Sequence, residues 1–181
     1  MIGRVLAVLA AVALAGALVF AYFDDATHRP VAPQGDMLGT ESGESFSSYA
    51  QRAGASLAEA DETAYALVTF AGPLDPAEAA AVLEPVDRVN AMIVALAAPF
   101  PLPEPVAGET RGDVFERELG RIADSLAGVP SPERIDAVVV RDEGDVLRAV
   151  ASQPQVATVE VLPPDAAWGR FGVRPVETPA G

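Results

Sequence analysis

Hydrophobic positions along this chain fall into three regimes: an unbroken block near the start, a polar gap, then alternating helical and strand periodicities. Val5 to Phe23 runs nineteen residues without a charge. As a helix rising 1.5 Å per residue it would span about 28 Å, the thickness of a bilayer's hydrocarbon core. Residues 24–43, rich in Pro, Gly and acid, have no period and predict a flexible stalk. Phe46, Tyr49, Ala50, Ala53, Leu57 and Ala60 then recur at three- and four-residue spacing, which predicts an amphipathic helix over 44–62.

Beyond Thr63 the period switches. In TAYALVTFAG, Tyr65, Leu67 and Thr69 face one way and Ala66, Val68 and Phe70 the other, a strand closed by Gly72-Pro73. DPAEAAAVLEP has the punctuation of a helix: Asp75 as N-cap, Pro76 in the first turn, Glu78 completing a capping box and Pro85 ending it. RVNAMIVALA reads as a second strand, apolar enough to be central or buried on both faces. The design then repeats. RIDAVVV is a strand, DEGDVLRAVASQP a helix capped by Asp142 with Asp145 in its first turn, and QVATVEVLP a strand with Ala157, Val159 and Val161 inward.

At an offset of 67 residues the two units superpose in pattern: Asp75 with Asp142, Glu78 with Asp145, Leu83 with Val150, Val89 with Val156. Two βαβ units in tandem predict an α+β fold, a ferredoxin-like split βαβ (βαββαβ) sandwich over 63–163 with two helices on one face of four antiparallel strands. Residues 99–134 interrupt it as an insertion. It opens with prolines at 99, 101, 103 and 105, which force extended or polyproline backbone. A helix follows from about Asp113 to Ala127, with Phe115, Leu119, Ile122 and Leu126 on one face and Gly128 as its stop. Residues 164–181 form a C-terminal tail. In element order, from Thr63 to Pro163, the domain resembles subtilisin propeptides and related inhibitors; the insertion at 99–134 departs from them. That resemblance implies a tail presented to a protease groove.

The apolar block at 5–23, after a short flank at 1–4, has two readings. As a retained transmembrane helix it has the required length, and Tyr22-Phe23 mark the interface as aromatic belts do. As a signal peptide it has Arg4 as a basic start and Val19-Phe20-Ala21 as a cleavage site, but its apolar stretch exceeds the usual length and no polar residues precede that site. The anchor is the expected reading, with secretion after cleavage as the alternative. Since nearly all the chain follows this single segment, the N-terminus is expected in the cytoplasm and the domain outside it. The expected localisation is the cell membrane, single-pass.

Composition changes the picture mainly by exclusion. The net charge is −14, from 26 acidic residues against 12 basic ones, all of them Arg. Such a surface repels phosphate, so nucleic acid is not an expected partner, and anionic lipid is an unfavourable bed for the domain. The absence of cysteine removes thiol nucleophiles, thiolate metal sites and disulfides. Without lysine, Ser–Lys catalysis is gone. The lone histidine, His28, sits in the stalk, away from any rigid nucleophile–base arrangement. The acidic run RDEGD (Arg141–Asp145) reads as a helix start, with carboxylates facing the positive end of the helix dipole, rather than a calcium loop. No cofactor, metal or small-molecule ligand is indicated.

One segment combines residue types that anchor interfaces. In WGRFGVRPV the only tryptophan, Trp168, and Phe171 alternate with Arg170 and Arg174. Trp and Arg dominate binding hot spots. The expected function is therefore non-catalytic: a membrane-anchored protein-binding or assembly module, its partner site at Trp168, Arg170, Phe171 and Arg174 or on the open sheet face. The alternatives are a protease inhibitor or prodomain-like module acting through the tail, and a carboxylate-based hydrolase.

Overall fold

The computed structural model describes residues 35–179, apart from 127 and 129. The expected transmembrane segment, His28 and most of the expected stalk lie outside the described residues. Among the described residues no helix is long and apolar enough to cross a membrane.

The architecture is mixed α+β. Its elements are β1 (Met37–Leu38), α1 (Phe46–Ala58), β2 (Ala64–Leu74), α2 (Pro76–Val82), β3 (Arg88–Ile93), β4 (Phe100–Pro101), α3 (Arg111–Ser125), β5 (Ile135–Asp142), α4 (Gly144–Ala151), β6 (Val156–Val161) and β7 (Gly172–Val173). Five strands form one antiparallel sheet in the order β4-β3-β5-β2-β6. β1 and β7 form a separate parallel pair.

Strand alternation separates two cores. Ala66, Val68 and Phe70 of β2 join Val138, Val140, Met92, Val159 and Val161 on one face, under Val82 and Leu83 of α2 and Leu147 and Val150 of α4. The helix of the insertion is part of this layer, since Val114, Phe115 and Leu119 of α3 are buried in the same cluster. Leu67, Ala91, Ile93, Ala137 and Val139 point to the opposite face. That face is covered too, by Leu38, by Tyr49 and Ala53 of α1, and by Val173 and Val176 of the tail. The helices therefore do not all lie on one face, and the second face is not left open.

Local chemistry fixes the helix starts. Asp75 accepts from the Glu78 N–H (2.8 Å) while the Glu78 carboxylate accepts from the Asp75 N–H (3.0 Å), a reciprocal box with Pro76 behind it. Thr110 and Asp113 form the same box at α3. The expected cap at Asp142 differs from the structure. Glu143 occupies the N-cap position of α4 without a side-chain cap. Asp142 instead ends β5, buried, accepting from the Asp87 N–H (2.6 Å) and the Glu143 N–H (2.8 Å). Its carboxylate ties the end of β5 to the start of β3, a non-local task invisible to a local capping rule.

α1 has a different duty from the other helices. Its Ser56 hydroxyl accepts the Val161 N–H (2.9 Å) of β6, the outermost strand on that side. The carbonyls of Leu57, in its last turn, and of Ala60, just past its end, accept from Arg148 of α4. The helix thus meets an element of the opposite layer around the rim of β6, and at Val161 the outer edge of that strand is already occupied by a side chain. The other rim ends in the two-residue β4, which carries Pro101. The sequence 24–43, expected to be linker throughout, joins the fold from Met37: Leu38 is fully buried, and Leu38 pairs with Val173. Ala157, expected inward with Val159 and Val161, is half-buried.

Candidate functional site

After β6 the tail doubles back over the second face of the sheet. Pro163 and Pro164 end the strand, the Leu162 N–H donates to the Tyr65 carbonyl (2.8 Å), and a turn closes with the Arg170 N–H on the Ala167 carbonyl (2.9 Å). Gly169 sits in that turn at φ 77°, a left-handed conformation suited to glycine. The turn lowers two rings onto Tyr65. The Tyr65–Phe171 centroids are 5.2 Å apart, Tyr65–Trp168 5.8 Å and Trp168–Phe171 5.9 Å, the last near edge-on at 76°. Such pairs each contribute about 0.5–1.5 kcal/mol beyond simple burial. Arg141, opposite Tyr65 in the β2–β5 register, places its guanidinium carbon 5.7 Å from the Tyr65 ring centroid.

The four expected site residues divide. Trp168 remains 43% exposed although it packs on Tyr65, Arg170 is exposed on the same turn, and Phe171 is half-buried between them and the core. Arg174 lies past β7, exposed; its backbone N–H donates to the Leu38 carbonyl (2.8 Å), and its own carbonyl oxygen packs against Gly39. From Gly172 to Val176 the tail is engaged by its own domain: Thr40 donates to the Pro175 carbonyl (3.2 Å), and Val176 is buried. Two members of the cluster were not identified from the sequence. Tyr65 could be found from its place beside Leu67 in the strand alternation. Arg141 carries no local sign, since only register brings it to Tyr65.

The arginines show which cations are committed. Among the ten described, Arg52, Arg88, Arg117, Arg121 and Arg148 reach carboxylates. Arg111 and Arg134 donate to backbone carbonyls. Arg141, Arg170 and Arg174 reach neither. Two of these three flank the aromatic cluster.

A second constellation lies where β1, α1 and β6 meet. Glu160, 3% exposed, accepts from the Gly39 N–H (2.6 Å) and from Arg52. Arg52 also donates to the Gly39 carbonyl (2.9 Å) and to both oxygens of Glu44 (3.1 and 2.9 Å), and lies 5.4 Å from the Tyr49 ring centroid. Burial holds the Glu160 carboxyl above its ordinary range, with Gly39 and Arg52 opposing that rise. Glu44 is held below its usual range, chiefly by its hydrogen bond from Arg52, and the Arg52 guanidinium is raised in turn, first by Glu44 and also by Glu160. Burial first, and then the Glu160 charge, push the Tyr49 hydroxyl up. That hydroxyl lies beside Thr69, Thr158 and Glu160 but meets none of them in hydrogen-bond geometry. The group's evident task is to clasp β1 onto the domain. Among the described residues no three of His, Cys, Asp and Glu gather as a metal site.

Comparison with protein-family models, with curated proteins and with solved structures finds no match to this chain.

Proposed function

We propose that this chain is a single-pass membrane protein whose extracytoplasmic, ferredoxin-like domain is a non-catalytic binding or assembly module. The ferredoxin-like reading draws on the order β6-β2-β5-β3 and on the two connections β2-α2-β3 and β5-α4-β6, each spanning one intervening strand. The membrane reading draws on the uncharged run from Val5 to Phe23. The observation that carries the binding role is the tail turn. It holds Trp168 partly exposed on Tyr65, the ring that Arg141 overlies, with Arg170 in the same turn; among the described residues no carboxylate engages either arginine. A large ring exposed beside an uncommitted guanidinium is the usual composition of an interface anchor.

Two experiments test this. A photoreactive residue at position 170, introduced into the full chain in the cells that make it, is expected to give one discrete crosslinked product that Trp168→Ala abolishes. Absence of such a product, or its persistence in the variant, defeats the binding role. Alkaline extraction of membranes should leave the protein in the pellet; a soluble form beginning near Tyr22 would overturn the anchor.

A further inference from the structure

An acidic protein has ready use for its few cations, and seven of the ten described arginines are indeed bound to carboxylates or carbonyls. Two of the three that are not lie beside the exposed ring of Trp168, although acidic residues outnumber basic ones 26 to 12. Among the described residues, therefore, no carboxylate is within reach of Arg141 or Arg170, in a chain that has carboxylates to spare. Arg141 is preorganised as well. Its stem rises from β5 opposite Tyr65, and its guanidinium lies over that ring, an arrangement that leaves the N–H fork available at the edge. Trp168 and Phe171 provide an apolar platform alongside.

From this geometry we infer that the Tyr65–Trp168–Phe171 cluster with Arg141 and Arg170 is a docking site for an acidic segment of a partner protein, one that also carries an apolar or aromatic side chain. This rests on the binding-module reading above and adds the chemistry of the partner. Carboxylates complement two guanidiniums whose forks match them in shape, and the apolar side chain covers Trp168. A basic segment would be attracted by the net charge of −14 to the rest of the surface, and repelled here. A short acidic segment meets only the patch, whereas an anionic bilayer would also face the acidic surface around it, beyond a screening length of about 10 Å.

Trp168 is the only tryptophan of the chain, so its fluorescence reports on this site alone. The full chain in nonionic detergent would be titrated with an acetylated peptide of glutamate and serine around one phenylalanine, and with its lysine-for-glutamate and glutamine-for-glutamate counterparts. The glutamate peptide is expected to change Trp168 emission saturably and the other two are not. Arg141→Gln and Arg170→Gln are each expected to weaken the glutamate peptide about tenfold, the loss of one charge-assisted contact. Arg174→Gln, off the cluster, should leave it unchanged. Circular dichroism confirms that each variant folds, and calorimetry with Trp168→Phe tests binding without the emission. Equal response to the lysine peptide, or a response indifferent to Arg141→Gln and Arg170→Gln, overturns the inference. So does a change in Trp168 emission with phosphatidylglycerol vesicles and none with the glutamate peptide, which assigns the patch to lipid. If the glutamate peptide fails while the Trp168-dependent crosslink at position 170 persists, only the acidic chemistry falls. If both fail, the binding role falls with it.

Discussion

Replacing Arg52 with methionine isolates the clasp on β1, because methionine keeps much of the stem's packing and removes the charge. Glu160 is then left 3% exposed with the Gly39 N–H as its remaining strong donor. A buried carboxylate in this position can escape its charge by taking up a proton. The cost of doing so sets a ceiling on the electrostatic penalty. From the ordinary value of 4.5, that ceiling is about 3.4 kcal/mol at pH 7 and about 0.7 kcal/mol at pH 5, at 1.36 kcal/mol per pH unit. The native carboxyl already lies above 4.5, so the added penalty falls below the ceiling. Loss of the bond to the Gly39 carbonyl adds about 1 kcal/mol at any pH, kept small because Arg52 is a third exposed. The totals are about 3 kcal/mol at pH 7 and about 1.5 kcal/mol at pH 5.

The direction follows from linkage. A carboxyl whose folded value is raised contributes stability that is complete below its unfolded value and is lost as pH rises through the folded one. Removing Arg52 lifts the folded value further, so the penalty of the variant grows with pH. Urea denaturation of the unit Gln34–Gly181, followed by far-ultraviolet circular dichroism between pH 5 and 7, measures this. Adding Glu160→Gln should recover most of the loss at pH 7 and little at pH 5. A penalty independent of pH, or a double variant no more stable than Arg52→Met, would refute the reasoning.

Three further outcomes follow from the packing. A Cβ at Gly144 would overlap the Ala60 carbonyl oxygen, so Gly144→Ala should cost about 2 kcal/mol. Gly54→Ala, exposed in α1 with no atom near its Cβ, should instead gain about 0.5–1 kcal/mol; the same denaturation experiment reads both, and the reverse order would discredit the α1–α4 contact. Asp142→Ala removes the acceptor of two backbone N–H groups and should lower stability by about 2 kcal/mol, with Asp142→Asn intermediate; equal stability of all three proteins would dismiss the tie between β5 and β3. Ending the chain at Pro163 uncovers Leu38, Ala137 and Val139 and should produce binding of a hydrophobic dye where the full chain shows none; an unchanged dye signal would mean that the tail is not the cover.

Each strand and helix of the duplicated unit could be read from residues near one another. The capping box at Asp75 and Glu78 and the opposed faces of Tyr65-Leu67 and Ala66-Val68 depend on spacings of one to three residues, and local rules suffice there. What could not be read depends on distant partners. Asp142 looks like a helix cap until Asp87, 55 positions away, arrives beside it. Thr158 and Glu160 look like the wet side of an edge strand until α1 and Gly39, 121 residues before Glu160, close over them. The candidate site divides likewise: Trp168, Arg170 and Phe171 are contiguous and legible, whereas Tyr65 and Arg141 join them only through sheet register.

The parallel pairing of β1 with β7 also sets how the domain carries load. The Gly172 N–H to Asp36 carbonyl bond (3.1 Å) and the Arg174 N–H to Leu38 carbonyl bond (2.8 Å) run across the two strands, so a force directed along β1 acts across both. Such a force would shear those bonds together instead of unzipping them one after another, and the Gly39 N–H to Glu160 bond (2.6 Å) would resist it with them. β7 follows directly on the turn that holds Trp168. The position of β1 and the shape of the exposed aromatic turn are thereby joined through a few hydrogen bonds.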